Sequence, residues 1–309
     1  MKFIAWGDWR ISMDISNIIY KALGTLFLVL AKVKNTLQGY STPRTFTNKD
    51  YSTVTNYDIE VVENWLSYLS IYSSEASIEK MNCLEMGPGA DLGVGLYLLS
   101  KGIGKYYAFD KNNLVSSVDP QFYAYFLNFL RERDNQVDID FLSKQLENAA
   151  NNKNGNLNYI VSEEFDLLSN FEKNSIDFVF SQAAFEHFEN IHQTIKQLSL
   201  IVKPGAIMVA LVDLKTHSRW IRDKDPNNIY RYSECFYNLF HFPGSPNRIR
   251  PYQYKAVLHK HGWENIQILP VETLPPEKLS KTISLLNSNY RHAKNQMDYL
   301  SVVIRATKI

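Results

Sequence analysis

Cysteine is scarce: the 309 residues include only Cys83 and Cys235. Two isolated thiols make no disulfide framework and no paired-cysteine metal spacing, and they suit a reducing cytosol. No His, Cys and Asp residues recur at metal-ligand spacing either, so no metal is expected. An excess of charge is also missing. Lysine and arginine number 33 against 32 aspartates and glutamates, which leaves no electrostatic footprint for nucleic acid. There are no internal repeats, and the asparagine-rich stretch 150–156 reads as a solvated loop. The apolar run Ala22–Ala31 falls short of the roughly 20 residues that a bilayer crossing needs. Asp8 and Asp14 dilute the basic leader, and no small-residue cleavage site follows, which argues against a secretory signal.

The chain does have a large apolar fraction, 45%, enough for a sizeable core. Residues 18–33 are apolar around much of a helix. Three readings stay open for them: a helix packed on the protein or a partner, a helix lying on a membrane surface through residues 15–33, or an anchor. The polar, proline-containing stretch 40–50 reads as a linker. The expected division is therefore 1–50 for the N-terminal helix and linker and 51–309 for the main domain.

A helix is predicted over about 55–73, with Val61, Trp65 and Leu69 on one face. Strands follow at Asn82–Met86, Tyr106–Asp110, Leu157–Val161, Ile176–Ser181 and Ala206–Leu214. Helices alternate with them at 92–99, 119–133, 139–149 and 190–202. That rhythm implies a parallel sheet with right-handed crossovers. The ending differs: a helix at 251–261, a strand near 264–270, a helical stretch at 276–290 and a last strand, Tyr299–Thr307. This is the pattern of an antiparallel edge. Residues 215–250 fit neither period and read as a lid or insertion.

The strongest signal is residues 84–93 (LEMGPGADLG), which end a strand and open a helix. Gly87 and Gly89 permit a sharp turn and close approach of a ligand. Asp110, at the end of the next strand, can accept both hydroxyls of a ribose. A dinucleotide site prefers G-x-G-x-x-G. Here Leu92 occupies the third glycine position, and Gly93 is one residue out of register. Glu85 just before the turn suits a cationic sulfonium better than a pyrophosphate.

Residues 84–110 resemble motif I and the following acidic position of class I S-adenosylmethionine (AdoMet) methyltransferases. Residues 175–188 (SIDFVFSQAAFEHF) are similar to the strand-four motif of that superfamily, and residues 198–211 to its next helix, Pro-Gly turn and fifth strand. The resemblance implies an α/β, Rossmann-like fold of seven mostly parallel strands with the last antiparallel and helices on both faces. It further implies that Glu85, Gly87 and Gly89 line the methionine side, that Asp110 binds ribose, and that Ser181 and Gln182 lie against the cofactor. Ser162 or Glu163 would meet adenine.

A narrower resemblance is to a bacterial subgroup associated with surface-polysaccharide and glycolipid biosynthesis. It rests on the step from Asp213 to His217, on Arg231-Tyr232-Ser233 and on Asn247-Arg248-Ile249-Arg250. The sequence departs from that subgroup at Ala210, where a histidine would stand three residues before Asp213. The implied activity is O-methylation of a saccharide, sugar nucleotide or glycolipid, in the cytoplasm or at the inner face of its membrane. An oxygen acceptor needs a proton acceptor. His217 oriented by Asp213 is the expected base, with His187 as the other candidate. Arg231, Arg248 and Arg250 are expected to hold negative groups of the acceptor. Two rival readings are a nicotinamide-dependent oxidoreductase or epimerase, and a non-catalytic methyltransferase-like protein that binds a partner through its N-terminal helix.

Overall fold

The computed structural model describes residues 7–39 and 48–309, with side chains from Ile15 onward. Most of the expected linker, residues 40–47, lies outside the described residues. Helix α1 (Gly7–Gln38) is followed by α2 (Tyr51–Tyr72), which begins earlier than expected. Then come β1 (Asn82–Met86), α3 (Gly93–Ser100), β2 (Lys105–Asp110), α4 (Pro120–Arg133), α5 (Ile139–Ala150), β3 (Leu157–Val161), β4 (Ile176–Gln182), α6 (Ile191–Ile201) and β5 (Val202–Asp213). The C-terminal part holds α7 (Glu234–Leu239), α8 (Pro251–Lys260), β6 (Trp263–Thr273), α9 (Pro276–Thr282) and β7 (Tyr299–Lys308).

The helix starts are readable chemistry. Asp119 accepts from the Gln121 amide with Pro120 in the first turn, Asp138 accepts from Phe141, and Asn190 accepts from Gln193. Each cap satisfies an amide that the helix itself leaves unpaired. The stretch 276–290 is not one helix. It stops at Thr282 and breaks into single 3-10 turns, Ile283–Leu285 and Ser288–Tyr290. The Asn287 side chain accepts from the Asn289 amide, and the Asn287 amide is tied to the Tyr230 carbonyl. Such local side-chain bonds compete with helix propagation.

The seven strands run in the order β3-β2-β1-β4-β5-β7-β6. The first five are parallel neighbours, and β7 is antiparallel to both β5 and β6. One face of the sheet packs on α2 to α5, where Trp65 stacks on Phe180 with ring centroids 5.0 Å apart. The other face packs on α6 and α8, including Ile195, Leu198, Tyr254 and Leu258. The strand order reverses between β1 and β4, so their C-terminal ends splay apart. A ligand crevice is expected there in an open α/β sheet.

Helix α1 is longer than the unbroken apolar run suggests. Its stretch Ile15–Gln38 is, by length and composition alone, apolar enough to cross a membrane, with mean hydropathy 1.4 and 11% of it buried. One side rests on the lid: Leu28 joins a cluster with Ile229, Tyr230 and Tyr237. Asn228 donates to the Tyr20 carbonyl, Tyr232 to the Lys21 carbonyl, and Lys32 to the Leu239 carbonyl. The opposite side leaves Ile15, Ile19, Leu26, Leu30, Val33 and Leu37 exposed.

Candidate active site

A cavity of about 790 Å³ opens at the C-terminal ends of β1, β2 and β4, within the roughly 300–1,000 Å³ usual for small-molecule sites. Gly87 and Gly89 form its floor with φ of +76° and +83°, left-handed values that a side chain adopts only at a cost. A Cβ on Gly87 would stand 2.5 Å from that of Ala184, so the turn also needs glycine for space. Asp110 projects into the cavity from the end of β2 and accepts from the Asn112 amide at 2.9 Å. Gln182, at the end of β4, completes this side.

Helix α2 closes the cavity from above. Val54, Tyr57, Asp58 and Val61 all line it. These residues were not singled out from the sequence. The signal was there: Asp58 interrupts the apolar stripe of Val54, Val61 and Trp65, and a carboxylate on a buried stripe needs a reason. Asp91 was passed over as well. It lines the cavity and accepts from the Gly93 amide at the start of α3.

Four carboxylates therefore surround one space: Asp58, Glu85, Asp91 and Asp110. Burial pushes the Glu85 carboxyl up to about 8, against a hydrogen bond donated by the Tyr106 hydroxyl. Burial also raises Asp58, well above its usual range, and Asp91, with which it shares a hydrogen bond. Asp110 is raised by burial too, moderated by surrounding backbone amides. A buried acidic ring suits a ligand carrying positive charge and repels a pyrophosphate. That counts for a sulfonium amino acid and against a dinucleotide.

Two expected cofactor residues do other work. The Ser181 hydroxyl is buried and donates to the Met86 carbonyl at 2.9 Å, which ties β4 to β1. At the end of β3 the cavity is lined by Glu164 and Phe165, not by Ser162 or Glu163. Ser162 instead accepts from the Asp166 amide, which turns the chain, and Glu163 faces solvent.

The acceptor side differs further from expectation. Arg250 is completely buried and donates to the carbonyls of Asn295, Gln296 and Tyr299 and to the Tyr230 hydroxyl. Arg248 bonds the carbonyls of Ile229 and Tyr232, pairs with Glu234 and lies over the Tyr237 ring. Arg231 forms a buried ion pair with Asp225 at 2.8 Å. All three arginines hold the lid together, and none of them offers a free guanidinium to an acceptor. The expected Asp213–His217 dyad is also not closed. His217 Nε2 lies 4.0 Å from Asp213 Oδ2, beyond hydrogen-bond reach, and that oxygen is taken by Arg222.

What the fold does bring together is Glu186, His187 and His217. The two imidazole rings lie 4.9 Å apart, centroid to centroid. His187 lines the cofactor cavity. Its Nδ1 meets the Gly244 carbonyl at 2.7 Å. A carbonyl only accepts, so Nδ1 carries the proton and Nε2 presents a lone pair. Among the described residues, no side chain meets His217 Nδ1 or the carboxyl oxygens of Glu186, although all three atoms are buried. Burial lowers the His217 pKa to about 4 and lowers that of His187 as well, so both rings are neutral near pH 7. Burial holds the Glu186 carboxyl well above its usual range.

Residues 122–210 match the family model described as "Methyltransferase domain". No curated protein matches the chain. Among solved structures, a phosphoethanolamine N-methyltransferase 2 from Haemonchus contortus, in complex with phosphomonomethylethanolamine and S-adenosylhomocysteine, shares 14% identity at a TM-score of 0.44. That match covers 82% of this chain and 52% of the other, so the chain spans about half the length of that relative. A putative AdoMet-dependent methyltransferase from Listeria monocytogenes shares 15% identity at a TM-score of 0.44, covering 80% of this chain and 98% of its own. The CurJ carbon methyltransferase shares 16% at 0.47, covering 99% and 72%. The strand order is that of the Rossmann-like methyltransferase fold, and the family model matches residues 122–210 within it. Glu85, Gly87, Gly89, Asp91 and Asp110 line the cavity together, an arrangement suited to a cationic ligand.

Proposed function

We propose that the chain transfers the methyl group of AdoMet to a hydroxyl oxygen of a saccharide-type acceptor, of which a glycolipid is the form the N-terminal helix favours. The observation that carries the oxygen reading is the nest of Glu186, His187 and His217, of which His187 lines the cavity and the other two stand behind it, with Glu186 and His217 atoms that no side chain meets. Bound AdoMet supplies an activated methyl group. Transfer forms the oxygen–methyl bond as the sulfur–methyl bond breaks with its electron pair staying on sulfur, and the hydroxyl proton is lost at the nest. A neutral amine acceptor would need less help, whereas an alcohol needs its proton drawn off in the transition state. Gly87 and Ala184 fix the floor under the reacting atoms, and α2 excludes water from above, so positioning carries much of the rate.

Arg231, Arg248 and Arg250 are already engaged within the lid, which favours an acceptor that carries no anionic group for them to bind. Support for a membrane-borne acceptor comes from the exposed stripe Ile15, Ile19, Leu26, Leu30, Val33 and Leu37. A helix docked by one side with a bare apolar stripe on the other suits the boundary of a lipid surface. Exposed Trp220, edge-on to Phe27 of α1, continues that surface. This reading puts the protein in the cytoplasm, at the inner face of the membrane.

The test is transfer of labelled methyl from AdoMet to a panel of sugar nucleotides and of glycolipids in vesicles. Wild type is expected to label a hydroxyl, and His217→Ala to lower turnover by roughly 10²–10⁴ with AdoMet affinity within a few-fold. Labelling confined to amines, or an unimpaired His217→Ala, sinks the oxygen reading.

A further inference from the structure

Glu186 and His187 are adjacent on the 3-10 turn Phe185–His187 after β4, while His217 comes thirty positions later, beyond the end of β5. The Cα register pairs Gln182 with Leu211 at the ends of those strands, so the two connections leave the sheet side by side. One potential ligand atom from each of the three residues lies within 4.8 Å of the others. We propose that Glu186, His187 and His217 bind a divalent first-row transition-metal ion at the acceptor end of the cofactor cavity.

Three features beyond proximity point to a cation. The first is the Glu186 carboxyl, which is buried with no side chain among the described residues bonded to it, only the Glu186 and Asp213 backbone nearby. A buried carboxyl left unpaired is costly unless something else meets it. The second is His217, whose Nδ1 is unpartnered among the described residues. The third is His187, whose Nδ1–H donates to the Gly244 carbonyl. Metal-bound histidines are characteristically fixed in this way, with one ring nitrogen on a carbonyl and the other free for the ion.

The donor set selects the class of ion. Two imidazoles and one carboxylate, with no thiolate, form the 2-His-1-carboxylate set of borderline transition ions, whereas magnesium and calcium favour oxygen alone. Three ligands at metal–ligand distances of about 2.0–2.2 Å stand roughly 3.4–3.6 Å apart. The triangle therefore closes with side-chain movements of up to about 0.8 Å each. Asp213 stands just outside, held by Arg222. Three protein ligands leave coordination positions open, and His187 places them at the cavity edge. There the ion would hold the acceptor hydroxyl and lower its pKa, so that the proton lost at the nest in the reading above would leave for water and the cluster would act through the ion rather than as a base. This role rests on the oxygen-acceptor reading above, but the binding of the ion does not.

The test separates the two. Full-length protein stripped with chelator is titrated with Co²⁺, followed by its visible absorption, and with Zn²⁺ by calorimetry, without AdoMet or acceptor. One ion per chain is expected, with nitrogen–oxygen ligand-field bands. His217→Ala and the shape-preserving Glu186→Gln should each weaken binding by about 10–100-fold or more. AdoMet binding by each variant reports that it is folded. Wild type that takes up no ion, or folded variants that bind it as wild type does, overturns the site. Uptake of the ion without methyl transfer to any hydroxyl leaves the metal site standing and removes the oxygen-acceptor reading.

Discussion

Two sets of buried charge face each other across the methyltransferase fold, and they are handled in opposite ways. Around the cavity, Asp58, Glu85, Asp91 and Asp110 are met by a tyrosine hydroxyl, backbone amides or one another but not by the cation of any lysine or arginine lining it, and burial holds each carboxyl above its usual range. In the lid, Arg231, Arg248 and Arg250 are as deeply buried, yet each is met by carboxylates, main-chain carbonyls or a tyrosine hydroxyl. A buried group of carboxyls without a counter-ion is a demand for a cationic ligand. A buried charge with its donors satisfied is part of the scaffold. Residue type and position in the sequence do not separate the two cases, but the partners do.

The largest effect that would break this comparison lies at the cofactor turn. Gly87→Val combines a β-branched residue at φ +76° with a Cβ that would sit 2.5 Å from that of Ala184. AdoMet binding by calorimetry is expected to fall below detection, while circular dichroism shows the sheet retained. Wild-type affinity in this variant would mean that the carboxylates surround some other ligand.

The lid side predicts a stability effect instead. Arg250→Ala leaves the carbonyls of Asn295, Gln296 and Tyr299 and the Tyr230 hydroxyl without their donor. A bond to a charged donor is worth roughly 1.5–3 kcal/mol. Total destabilisation of about 3 kcal/mol or more is expected in urea unfolding, with AdoMet affinity unchanged in protein that remains folded. A variant of normal stability with only a raised acceptor KM would return Arg250 to the acceptor site and erase the contrast.

The same contrast governs what could be read from the sequence. The strand-turn-helix of residues 82–100 is local, so its glycines, Glu85 and the following Asp110 were legible in order. The antiparallel ending was legible because its period changed. Asp58 was legible only as an acidic break in an apolar stripe, and its place at the cavity was not, since it comes from a helix that precedes every motif. The role of the arginines was not legible either, because their partners at 295–299 are far away in sequence. His187 and His217 were each visible singly. Their meeting with Glu186 depends on β4 and β5 being neighbours in register, a property of the sheet that no spacing reveals. The N-terminal helix was legible as apolar, but which side the lid covers was set by Asn228 and Tyr232, some 200 residues on.

The smallest predicted effect sharpens the cofactor half of the comparison. Burial moves the Glu85 carboxyl from an ordinary 4.5 to about 8. In the ligand-free chain the neutral form is therefore favoured. Its stabilising contribution is full below about pH 4.5 and is lost as pH rises through 8. A sulfonium and an ammonium in the cavity reverse that preference, because ionised Glu85 then has cations to face. AdoMet binding should release a proton and tighten with rising pH, by up to about tenfold per unit below pH 8, and level off above it. Glu85→Gln has no carboxyl to titrate. It should bind more weakly at pH 8.5 and lose this slope, while any titration of the ligand's own amine appears equally in both proteins. Calorimetry from pH 6.5 to 9, repeated in buffers of different ionisation enthalpy, reads both the affinity and the released proton. Parallel pH profiles for wild type and Glu85→Gln would show that Glu85 is already paired, by Tyr106 alone, and is as much a part of the scaffold as the lid arginines.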